Sequence, residues 1–234
     1  MSRSSAAVRP LSAPALWGLL AALYLVWPAV GLPSFLLSAL FALVPLPLLF
    51  AFDSLLSFAV FYVGMGLLLQ LAAGRRPTWR MALTAVLAAL GLVLVQALVS
   101  DLSGLFLSAD SGFIAVTALS LVNNLVRLAG MALVLCQALP GGLGQARHTR
   151  RGRWLLVGAL LLVLLCGAAD YGVFFCLPVG ETAFDGQTGF LGVLDNLQLW
   201  STASSISSWI NRGWPELLLW LAVCLPARRQ AGNE

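Results

Sequence analysis

Arg127 is the residue whose type and position carry the most chemical information in this 234-residue chain. It lies in the apolar run Gly112 to Leu139, twelve residues from one end and fifteen from the other. An arginine at such depth in a membrane costs roughly 2.5 kcal/mol or more, so it must face protein or water rather than lipid. Thr117, Ser120, Asn124 and Arg127 are spaced 3, 4 and 3 apart. At about 100° per residue this confines them to an arc of about 80°, which Asn123 widens to about 120°. One face of this helix is therefore expected to be polar. Asp170 is the expected partner of Arg127: at about 1.5 Å per residue the two lie some 18 and 24 Å from the same membrane surface. Side chains lean toward the amino termini of their helices, so on oppositely directed helices the two converge. The chemistry implied is a buried ion pair that fixes helix register, or a solvated path for a small solute or proton.

Motifs for other chemistries are incomplete. The one histidine, His148, sits beside Arg147, Arg150 and Arg151, which excludes paired-histidine haem ligation and a His-rich zinc site. Neither H-E-x-x-H nor G-x-S-x-G occurs, and Gly141-Gly142-Leu143-Gly144 lacks the strand, lysine and helix of a phosphate loop. Cys136, Cys166, Cys176 and Cys224 form no C-x-x-C pair and read as small apolar residues. Glu181 and Asp185 read as an exposed acidic loop. No catalytic residue, metal site or cofactor is expected, and no basic stretch interleaved with aromatics indicates nucleic acid.

The elements that must position Arg127 follow from composition. Hydrophobic residues make up 60% of the chain and charged residues 9%, and a mean hydropathy of +0.95 belongs to an all-α polytopic transmembrane bundle. Expected spans run from about Ala15 to Gly31, Ser54 to Ala73, Trp79 to Val99, Gly112 to Leu139, Trp154 to Phe175 and Ser207 to Leu225, each near the ~20 residues that cross the hydrocarbon core. The run Ser34 to Phe50, broken at Pro45-Leu46-Pro47, is expected to be re-entrant or interfacial, with a seventh span as the alternative. Arg3 and Arg9 precede an apolar run and Ala29-Val30-Gly31 resembles a cleavage site, but the run is longer than a usual signal sequence and is expected to stay as the first span.

Charge orients the bundle. Of thirteen arginines, eleven lie in residues 1–10, 74–80, 141–153 or after Pro226, while eight of the nine acidic residues lie elsewhere. Arginine-rich short loops stay inside, so both termini are expected to be cytoplasmic and the location is a plasma (inner) membrane. Trp17, Trp79 and Trp154 stand at the inner ends of rising helices, where an amphipathic ring belongs in the headgroup belt. Asp53-Ser54 and Asp110-Ser111 are expected to open descending helices as caps. Gln70 and Gln137 lie near the inner ends, where headgroup contact suffices, and Ala85 and Ala89 allow close helix approach. Residues 1–234 form one membrane domain whose only long connection, 177–206, is expected to be an outer loop. Within it Phe190, Val193, Leu194, Leu197 and Trp200 recur at helical spacing as an amphipathic surface helix.

Two functions are compatible with these features. The first is a non-catalytic membrane subunit or scaffold, with the lipid bilayer and a second membrane protein or another copy of the chain as partners. The alternative is a small-solute transporter, or its substrate-binding membrane component, with a polar site around Arg127.

Overall fold

The computed structural model describes residues 10–27, 45–106, 112–176 and 213–231. All regular structure among them is α-helical: α1 (Ala13–Val26), α2 (Leu46–Ala72), α3 (Trp79–Phe106), α4 (Gly112–Ala138), α5 (Gly142–His148), α6 (Arg150–Cys176) and α7 (Trp214–Ala231). Three stretches, Leu48–Ala72, Trp79–Val99 and Ala118–Ala138, are long and apolar enough to cross a membrane, and Ala13–Val26 and Trp214–Pro226 are shorter apolar helices. The expected runs Trp79 to Val99 and Gly112 to Leu139 match α3 and α4 closely, because neither proline nor a cluster of charges interrupts them.

Three expectations require correction. Helix α2 begins at Leu46 rather than Ser54, so the last five residues of the run Ser34 to Phe50 belong to it, and residues 34–44 lie outside the described residues. The prolines do not break a helix here; they start one. Pro45 takes an extended backbone as N-cap and Pro47 stands in the first turn, where a missing N–H costs no intrahelical bond. Asp53 is consequently inside α2 rather than at its start, while Asp110 and Ser111 lie outside the described residues. Second, the connection 141–153 is not a plain loop, since α5 forms within it and turns at Thr149 into α6. Third, α7 starts at Trp214, after Gly213 with its φ of 87°, and residues 207–212 of the expected span lie outside the described residues.

The core follows from helical stripes. Phe61, Tyr62, Met65, Leu69 and Ala72 on α2, Met81, Ala85, Ala89 and Leu92 on α3, and Met131, Val134, Leu135 and Ala138 on α4 are all buried, at the spacings of three and four that repeat on one helix face. Ala85 and Ala89 are both 0% exposed, so the small pair does lie where α3 meets its neighbours. The most extensive contacts are α3 with α4, α6 with α7, and α2 with α3. Outward faces are equally apolar: Leu83, Leu87, Leu90, Leu94 and Leu98 line α3, and Val157, Leu161 and Leu164 line α6, all exposed. A helix apolar on every side is at home in hydrocarbon. Trp17, Trp79 and Trp154 are exposed as well.

Gln70 holds the turn after α2 together. Its backbone carbonyl accepts from Arg75 N–H at 2.8 Å, and the Gly74 N–H reaches Leu71 O at 3.2 Å, the paired bonds of a left-handed glycine cap, with Gly74 at φ 65°. The Gln70 side chain donates to Thr78 Oγ1 at 3.0 Å and accepts from Thr78 N–H at 3.2 Å. At 1% exposure it does not reach a headgroup. It bridges the turn instead, because a buried amide must find partners within the protein. Gln137 is exposed.

A buried ion pair as the candidate functional site

Four residues of the expected polar face of α4 are described. Ser120 and Asn123 are half-buried, and Asn124 and Arg127 are 3% and 9% exposed. The side chains of Thr117 and Asp170 lie outside the described residues. Asn123 Oδ1 is buried without a hydrogen-bond partner among the described residues.

A carboxylate against Arg127 is that of Glu216; the side chain of Asp170, the expected partner, lies outside the described residues. Arg127 Nε donates to Glu216 Oε1, and Nη2 stands 3.5 Å from Oε2. The carboxylate thus meets the guanidinium through both oxygens, and Glu216 is 1% exposed. The physical reason is the place where α7 begins. Counted from Leu225, Glu216 is nine residues along α7, about 14 Å, and Arg127 is twelve residues from Leu139, about 18 Å. That count along α7 was the signal that could have revealed the pair. Glu216 also lies in the first turn of α7, where the positive end of the helix dipole stabilises a carboxylate.

Two tyrosines brace the pair from neighbouring helices. Tyr62 on α2 donates its hydroxyl hydrogen to the Arg127 carbonyl at 2.8 Å. Tyr24 on α1 donates to the Gly213 carbonyl at 2.7 Å, three residues before Glu216. Gly213 has φ 87° and lies beneath three rings: a Cβ there would stand 3.1 Å from Trp27, 3.2 Å from Tyr24 and 3.3 Å from Phe61. Only glycine meets both demands, the left-handed backbone and the absent side chain. Trp27 stacks on Phe61 with centroids 4.1 Å apart, and Tyr24 meets Phe61 edge-on at 5.7 Å. Farther along α7, Trp220 Nε1 donates to the Met65 carbonyl at 2.9 Å. This bond joins α7 to α2 through a ring donor and a backbone acceptor, so that the indole N–H is satisfied where it is buried.

The start of α7 is thereby anchored to α1, α2 and α4 at once. Tyr24, Tyr62, Gly213 and Glu216 were all missed as members of this site. The tyrosines gave no signal, since a lone hydroxyl on an apolar helix does not name its acceptor. No group of three or more His, Cys, Asp or Glu able to hold a metal occurs among the described residues. The pair can neutralise two buried charges and, with the two tyrosines, fix four helices. No known family model, curated protein or solved structure matches this chain.

Proposed function

We propose that this chain is a non-catalytic integral membrane subunit or scaffold, a six-span helical bundle in a plasma (inner) membrane with both termini cytoplasmic. The observation that carries this reading is the Arg127–Glu216 pair, whose carboxylate is 1% exposed. A buried pair with complementary geometry fixes register and orientation, whereas a solute site needs polar groups directed at a cavity. The exposed apolar stripes of α3 and α6 add surface for lipid or for a second membrane protein. Distribution of the arginines supports the orientation.

A second reading, the small-solute transporter, is favoured by one feature. Helix α7 begins inside the bundle beside a charged residue, and helix starts at depth recur at transporter binding sites. Water access separates the two. In a variant lacking the native cysteines, Ser120→Cys and Asn124→Cys should resist a membrane-impermeant thiol reagent added to either side of sealed vesicles. Rapid labelling at both positions would overturn the scaffold reading in favour of a solvated path.

A further inference from the structure

At the arginine-rich end of the bundle the turn from α5 into α6 faces the far part of α7 across a cleft of about 440 Å³, lined by Thr149, Arg150, Arg151, Gly152, Leu225 and Pro226. One wall is cationic and the other apolar. Arg150 and Arg151 are exposed and have no carboxylate partner among the described residues. Arg147 and His148 precede them and Arg153 follows, with no acid between residues 139 and 153. The backbone adds to this field, because α6 starts here: Thr149 caps it, accepting the Gly152 N–H on Oγ1 at 3.0 Å, and the positive end of a 27-residue helix points at the cleft.

A second observation sets the level of the cleft. Trp154 lies three and four residues after Arg151 and Arg150, on the same face of α6, and is 67% exposed. A tryptophan so placed belongs among the glycerol and headgroup region, which puts the two guanidinium groups one helical turn, about 5 Å, further out, at the level of lipid phosphates. Leu225, 45% exposed, and Pro226 then face the glycerol and first methylenes.

We propose that this cleft binds the phosphate group of an anionic membrane phospholipid, with Arg150 and Arg151 on the phosphodiester and Leu225 and Pro226 against its glycerol. Only the placement of the bundle in a bilayer is required; neither the scaffold reading nor the direction of insertion enters. Native mass spectrometry of the detergent-solubilised full chain tests it, with phosphatidylglycerol and phosphatidylcholine of identical acyl chains. The intact chain should retain phosphatidylglycerol roughly tenfold better, and Arg150→Gln with Arg151→Gln should abolish the preference, since each arginine near anionic lipid contributes on the order of a few-fold in affinity. The charge-matched control, Arg75→Gln with Arg80→Gln, should keep it. Leu225→Glu, which puts a carboxylate into the cleft from an exposed position, should also abolish it and stands in should the double arginine variant fail to fold. Equal retention of both lipids, or equal loss in the cleft and control variants, overturns the site. Displacement of the lipid by millimolar inorganic phosphate would make this a free-phosphate site and overturn the lipid assignment.

Discussion

Glu216 and Arg127, 89 residues apart in the chain, meet inside the bundle with the carboxylate at 1% exposure, so the last helix is fastened to α4 by charge at the level where it begins. Each group is what makes the other tolerable at that depth. An arginine or a glutamate alone at this burial would lack the compensation that offsets its desolvation.

Arg127→Ala or Glu216→Ala should each lower stability by about 3 to 5 kcal/mol, because either leaves an uncompensated buried charge. The double variant Arg127→Ala, Glu216→Ala should be far milder than the sum. Thermal unfolding of the four proteins in one detergent decides it. Strictly additive losses would mean that the two groups are not coupled.

Gly213→Ala should cost about 1 to 3 kcal/mol, combining a left-handed backbone for a residue with a Cβ and a Cβ 3.1 to 3.3 Å from three aromatic rings. Tyr24→Phe, which removes only the hydroxyl bonded to the Gly213 carbonyl, should cost about 1 kcal/mol. If the glycine variant unfolds at the parent temperature, α7 does not start as described.

Gln70→Leu should loosen residues 75–78 while leaving the bundle intact, since it removes the two side-chain bonds to Thr78 and keeps the backbone cap. Trypsin cleavage after Arg75 should quicken by roughly tenfold, in line with two lost bonds of about 1 kcal/mol each partly replaced by water. Cleavage after Arg147 is the internal reference and should not change.

Single cysteines at Ser4, Pro77, Gln145 and Gly232, in a variant without native cysteines, should all be protected from an impermeant reagent outside intact cells. Pro77 and Gln145 are exposed and avoid Thr78 and Thr149, which make structural hydrogen bonds. Labelling at Ser4 with Pro77 protected would put an odd number of crossings between them and make the segment around residues 34–44 a span.

Apolar composition and its periodicity determine, without tertiary information, that this chain is helical, where α3 and α4 run, and that Asn124 and Arg127 share an inward face. These are local properties: helix formation in an apolar run needs only the backbone bonds of that run, and the placing of Arg127 needs only the cost of facing lipid. The starts of α2 and α7 are less legible, because proline marks a helix interruption and a helix beginning with the same letters, and only the backbone at Pro45 and the rings around Gly213 tell them apart. Which carboxylate meets Arg127 was decided by tertiary structure alone. Depth counted along separate helices leaves several acids within reach, Glu216 among them. What selects it is the start of α7, set by Tyr24, Trp27 and Phe61 closing over Gly213, three residues whose contacts with the far end of the chain no local pattern encodes.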